Sequence, residues 1–156
     1  MKHLSWKYVA GLIDGEGCID IQASKGNYLT PRLRVALTSP GKEVIDLLYN
    51  NYSGHICINV PSNEKWDTSY RWELTGYTRV CPVLRNIAAH LIIKKEQARL
   101  ILWMESNLKG KWLNPGTREV AIQELKAMKR DPHRLSEKAQ EAILSCEAIV
   151  GKIEIS

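Results

Sequence analysis

Two glycines, Gly11 and Gly15, stand four residues apart in a segment whose other residues call for a helix. Ser5 is placed as an N-cap, and Leu4 and Val9 have the spacing of a hydrophobic staple, so a helix is predicted from Trp6 to about Gly15. A glycine inside a helix costs roughly 1 kcal/mol relative to alanine. At this spacing both fall on one face, and their missing side chains let a second backbone come very close. The same stretch, Val9 to Gly17, carries Asp14 and Glu16 in its last turn, at the negative end of the helix dipole. Acids are badly placed there unless something positive compensates. If two such helices met along their glycines, two copies of Glu16 would face each other, and bound cations would relieve the repulsion. A hard divalent ion with oxygen ligands, Mg2+ or Mn2+, answers that need, and Glu16 is its first candidate ligand.

The rest of the chain alternates between the two main periodicities. Ile19 and Ile21 oppose Asp20, Gln22 and Ser24; Lys25-Gly26-Asn27 reads as a turn; Leu33, Val35 and Leu37 then oppose Arg32, Arg34 and Ala36. Ser39-Pro40 reads as an N-cap with proline at the first helical position, and Val44, Leu47, Leu48 and Tyr52 continue at helical spacing. A second hairpin is predicted from His55 to Val60 and from about Trp66 to Thr75. A third helix follows through Val80, Leu84, Ile87 and Leu91. Lys94 to about Leu108 is helical and apolar on more than one side, Gly110 to Gly116 resembles a linker, and two helices are expected at about 118–129 and 136–150. The order is α-β-β-α-β-β-α with helices appended. No second copy of the first helix's pattern occurs, so one domain over 1–156 is expected, with its core at about 5–108 and C-terminal helices at about 118–150.

Composition narrows the partner. Lys and Arg number 22 against 17 Asp and Glu, giving a net charge of +5 and a pI near 9.0, which suits a polyanion. Cys18, Cys57, Cys81 and Cys146 form no C-x-x-C pair, and the four histidines are scattered, so no zinc spacing exists. Buried, reduced thiols are expected. No membrane span, signal core or transit stretch is read, so the chain is expected to be intracellular (prokaryotic cytoplasm or an organelle interior) and not secreted. No phosphate-binding glycine loop or nucleophile constellation supports a small-molecule enzyme.

Val9-Ala10-Gly11-Leu12-Ile13-Asp14-Gly15-Glu16-Gly17 resembles the LAGLIDADG motif of homing endonucleases, with conservative changes at three of nine positions, Val9, Gly15 and Glu16. The element order is also that family's, and the likeness covers roughly Trp6 to Leu108. The resemblance implies an α+β fold of αββαββα order, with a saddle of antiparallel strands facing double-stranded DNA. It implies a homodimer whose interface is built from Ala10, Gly11, Asp14 and Gly15. Glu16 and the Gly15 carbonyl would hold metal at the scissile phosphates, and Asp14 would help fix the helix pair. Lys94 aligns with the family's catalytic lysine, with Lys95 the fallback. Ser39 stands where relatives often place a glutamine that orders water, and its shorter side chain is a departure. The implied activity is a site-specific, staggered double-strand cut serving intron mobility. The alternative is a non-cleaving nucleic-acid binder, such as an RNA maturase or a repressor on the same scaffold.

The outward strand residues suit base edges better than a plain solvated face rich in Lys and Glu. They are Asp20, Gln22, Ser24, Lys25, Thr30, Arg32, Arg34, Cys57, Asn59, Arg71, Glu73 and Thr75. Arginine pairs with guanine, glutamine and asparagine with adenine, and acids with the cytosine amino group. Lys109, Lys111, Lys126, Lys129, Arg130 and Arg134 on the later helices are available to flanking phosphates.

Overall fold

The computed structural model describes residues 2–23 and 28–155, with side-chain surroundings up to Cys146. Helix α1 (Trp6–Glu16) leads into strands β1 (Gly17–Ala23) and β2 (Leu29–Thr38), then helix α2 (Lys42–Tyr52), strands β3 (His55–Asn59) and β4 (Ser69–Thr75), and helix α3 (Tyr77–Ile87). Helices α4 (Lys95–Leu108), α5 (Pro115–Arg130) and α6 (Ser136–Ile155) complete the chain. The expected αββαββα order with appended helices is therefore observed. The turn at Lys25-Gly26-Asn27 lies outside the described residues, as do the expected contacts Ser24 and Lys25.

The strands form one antiparallel sheet of order β1-β2-β4-β3. Alternation decides its faces, because successive side chains point to opposite sides. Ile19, Ile21, Leu33, Val35, Trp72 and Leu74 go under the helices and are buried, together with Val9, Ala10 and Ile13 of α1 and Val80, Leu84 and Ile87 of α3. The opposite face carries the polar set in register. Gln22 stands opposite Thr30, and the next row is Asp20, Arg32 and Thr75. Cys18, Arg34, Glu73 and His55 make a third row, Ala36, Arg71 and Cys57 a fourth, and Thr38, Ser69 and Asn59 a fifth.

Local chemistry sets the joints. The Ser5 hydroxyl accepts the Tyr8 N–H at 3.2 Å, as an N-cap should. At Gly54 (φ +101°) a Cβ would lie 2.5 Å from the Glu73 carbonyl, so only glycine lets β3 begin against β4. At Gly17 a Cβ would meet the Ile13 backbone at 2.7 Å, which makes glycine obligatory where β1 leaves α1.

Three expectations are corrected here. Ser39 is not the N-cap of α2: Ser39-Pro40-Gly41 forms a 3-10 turn, the helix begins at Lys42, and the Ser39 hydroxyl donates to the Thr68 carbonyl at 3.4 Å. The supposed linker at 110–116 contains the start of α5. Asn114 accepts the Thr117 N–H at 2.8 Å and Pro115 is the first helical residue, so the proline and glycine mark a helix beginning. Of the four thiols only Cys81 is fully buried; Cys18, Cys57 and Cys146 are half-buried.

Candidate active site and sheet face

The last turn of α1 has carbonyls with no N–H four residues on and no basic residue of its own. Lys94, just before α4, supplies the missing charge: its ammonium donates to the Asp14 carbonyl at 2.6 Å. The Asp14 carboxylate in turn accepts three successive backbone N–H groups, from Ile92 (2.7 Å), Ile93 (3.2 Å) and Lys94 (2.9 Å). Asp14 thus fastens the turn before α4 to the end of α1 within its own chain. Ala10, the first residue of the expected interface, is fully buried beside Val9 and Ile13 in its own core.

What remains on the outer face of α1 is a stripe of Tyr8, Gly11, Leu12 and Gly15. Tyr8 and both glycines are exposed, and Leu12 is half-buried. A Cβ added at Gly11 or Gly15 would meet nothing within 4 Å. Among the described residues, no packing contact requires these glycines.

Glu16 is exposed at the end of the same helix and makes no hydrogen bond or ion pair among the described residues. No three His, Cys, Asp or Glu side chains of the described residues come together in a metal-holding group. The donors at this end are one free carboxylate and the carbonyls of the helix terminus. They suit a hard cation that keeps most of its ligands as water and phosphate, which is how Mg2+ is commonly held.

Beside Glu16 lies a pocket of about 250 Å³ lined by Gly17, Cys18, Ile19, Ile93, Lys94, Gln97, Lys129 and Pro132. Gln97, not singled out in the sequence, is 4 % exposed, and its side-chain carbonyl oxygen has no hydrogen-bond partner among the described residues. Its place three residues after Lys94 puts it on the lysine's side of the turn, the signal that was available in the sequence. Ser39 follows the end of β2, four residues after Val35, the strand partner of Gly17, and its hydroxyl donates to the Thr68 carbonyl.

On the polar sheet face the charged residues engage one another. The Asp20 carboxylate is gripped by Arg32 through Nε (2.9 Å) and Nη2 (3.1 Å) and by Arg34 through Nη2 (2.5 Å). Arg32 Nη1 also donates to Gln22 at 3.2 Å. Burial by itself would raise the Asp20 pKa, but the Arg32 hydrogen bond and the charges of Arg34, Arg32 and Lys129 outweigh it and hold it below the usual carboxylate range. Lys129 reaches this row from α5, with Nζ 3.3 Å from Cys18 Sγ and 4.0 Å from Asp20. Arg71 stands 3.7 Å from Glu73, which accepts the Thr75 hydroxyl at 3.3 Å. Thr30, Cys57 and Asn59 share the same face, as does exposed His55, which alternation along β3 places there although the sequence reading passed over it.

This architecture, four antiparallel strands bearing a polar face with the motif helix on the other side, is the LAGLIDADG homing-endonuclease fold. I-CvuI, solved in complex with the I-CreI target in the presence of Mg with the DNA not cleaved, matches with a TM-score of 0.62 at 15 % identity, over 90 % of this chain and 93 % of that one. I-TnaI, described as a homing endonuclease, matches with a TM-score of 0.58 at 19 % identity, over 93 % and 99 %. The LAGLIDADG meganuclease I-AabMI bound to uncleaved DNA matches with a TM-score of 0.58 at 15 % identity, and there 85 % of this chain covers 50 % of the other. At such identities the likeness is one of fold. No family model and no curated protein matches the sequence. Among the described residues no helix is long and apolar enough to cross a membrane.

Proposed function

We propose that this chain is a homing endonuclease: a homodimer that cuts both strands of a long, nearly palindromic DNA site with divalent metal. The observation that carries this reading is the contrast between Glu16 and its neighbouring acids. The carboxylates of Asp14 and Asp20 are engaged by their own chain, whereas Glu16 has no partner among the described residues, two positions beyond the Asp14 carbonyl that holds the Lys94 ammonium. A scaffold that only bound DNA would have no use for a bare carboxylate facing its twin and a phosphate backbone.

In this reading the stripe of Tyr8, Gly11, Leu12 and Gly15 meets its copy, and the open glycines let the two backbones approach. Glu16 and the Gly15 carbonyl hold Mg2+ or Mn2+. When bound, the metal supplies charge stabilisation at the phosphate and a more acidic water. Lys94, fixed on the Asp14 carbonyl, presents its ammonium to the negative charge that develops on the phosphate oxygens. Gln97 takes the water-ordering part expected of Ser39, because its amide lines the pocket beside Lys94 with its oxygen unused. The polar sheet face lies in the major groove. Strand β2 has ten residues and so spans ~33 Å, on the order of ten base pairs at ~3.4 Å each.

The test is Glu16→Gln. The variant should bind the target in Ca2+ as the wild type does and should cut nothing in Mg2+. Full cutting by it would remove Glu16 from the chemistry. A wild type that binds its site but leaves it intact in both Mg2+ and Mn2+ would point to a non-cleaving binder instead.

A further inference from the structure

Sequence reading gave Asp20 a base contact of its own, as an acid accepting from a cytosine amino group. The geometry instead turns it toward its own chain and buries it behind its partners. Oδ1 accepts Arg32 Nε, while Oδ2 accepts Arg32 Nη2 and Arg34 Nη2 and is approached by the Cys18 thiol at 3.7 Å and by Lys129 at 4.0 Å. Its side chain is 11 % exposed, against 24 % and 25 % for the two arginines. One buried acid is thus surrounded by three cations, each more exposed than the acid: the two guanidiniums on the strand face and Lys129, 36 % exposed, reaching in from α5. Each guanidinium keeps unused donors: Arg34 Nη1 makes no bond among the described residues, and Arg32 Nη1 spends one hydrogen on Gln22.

We infer that Asp20 is a positioning residue that does not itself read the sequence, and that it fixes Arg32 and Arg34 as a pre-ordered pair for two guanines in each half-site. The inference rests on the proposed reading of the sheet as the DNA-facing surface. Guanine offers two acceptors, O6 and N7, to a guanidinium held in its plane, and this pairing is geometrically demanding. An arginine free to swing must be ordered on binding, whereas Arg32, held through Nε and Nη2 on both carboxylate oxygens, and Arg34, held through Nη2 on one of them, are ordered beforehand. The two arginines lie two residues apart on one strand face, about 6.6 Å at ~3.3 Å per residue, which matches two base-pair steps at ~3.4 Å each. The expected half-site therefore holds two G·C pairs separated by one pair of any kind.

Selection of bound sequences from a random DNA library in Ca2+, read for three forms of the chain, tests this. The wild type should return the two G·C pairs at that spacing. Arg34→Gln should lose guanine preference at one of them only. Asp20→Asn should weaken the preference at both together, each by roughly tenfold, and should steepen the loss of affinity with salt as the arginines become free for phosphates. Asp20→Glu, which keeps the charge, should recover part of the preference, a result that a merely structural role would not give. A direct reader would behave differently: Asp20→Asn would then erase a cytosine preference at one position, and that pattern overturns the inference. So does a wild type whose selected sites lack the guanine pair. Bound sites without that pair leave the endonuclease reading standing, whereas no binding to any DNA overturns both.

Discussion

The end of α1 and the centre of the sheet face hold the same kinds of groups, carboxylates and basic side chains, in opposite states. On the sheet, Asp20 is paired with Arg32 and Arg34 inside the chain. At the end of α1, Lys94 is spent on a backbone carbonyl and Glu16 on nothing among the described residues. An ion pair closed on itself orients its members, and a surface of oriented donors suits recognition. An open acid at a negative helix terminus is unfavourable in isolation, so it points to a ligand from outside. Asp14, two residues from Glu16, shows that the fold can satisfy an acid there, because it collects three N–H groups.

Breaking the open site should give the largest effects. Glu16→Gln should lower the cleavage rate on the order of a thousandfold or more, measured as single-turnover cutting in Mg2+. Gly11→Leu comes next, because in a single chain the added side chain meets nothing. Helix propensity alone would make that variant more stable, by up to about 1 kcal/mol. If copies meet along the stripe, the leucine instead turns a dimer into a monomer, and light scattering in dilute solution shows the halved mass. An unchanged dimer would put the contact elsewhere. Lys94→Met should cost about a hundredfold in cleavage rate with DNA affinity in Ca2+ largely retained. Equal losses in both would make the lysine a binding group only.

The fold was legible where local pattern and tertiary need agree. Period-two alternation in β1, β2 and β4 fixed which residues share the polar face, and Ser5 marked the start of α1 correctly. What could not be read is how elements meet. Cys18 and Lys129 are 111 positions apart, and no local signal brings α5 against the edge strand β1. The cross-strand register that sets Asp20 beside Arg32 is a pairing between two strands, which alternation within either one does not specify. The resemblance places Ala10 and Gly11 in one interface, yet adjacent helical positions differ by about 100°. The first faces the core and the second faces out. Gly110 to Gly116 resembles a linker although its last residues, Asn114-Pro115-Gly116, open α5, because helix starts and loops draw on the same residues.

A smaller effect is expected where Asp14 fastens α1 to the turn before α4. Asp14→Ala leaves three N–H groups without their acceptor and should lower stability by about 2 kcal/mol, read from denaturant unfolding. Two of these groups lie at exposed positions where water can replace the carboxylate, which keeps the cost from being larger. Cleavage should fall as well, because Lys94 sits in the same turn.

The smallest effect belongs to the closed cluster and appears only in acid. The folded-state pKa of Asp20 lies below its ordinary value of 3.8, because the Arg32 hydrogen bond and the surrounding cations outweigh the opposing effect of burial. A carboxylate depressed by folding adds stability that is fully present above its unfolded pKa and is lost as pH falls through the folded one. Wild type and Asp20→Asn should therefore differ most near neutral pH, and the gap should begin to close below about pH 3.8. Unfolding curves for both across pH 2–7 measure that gap. A constant difference over the whole range would mean that Asp20 contributes by shape alone, and the paired sheet cluster would then owe its order to packing.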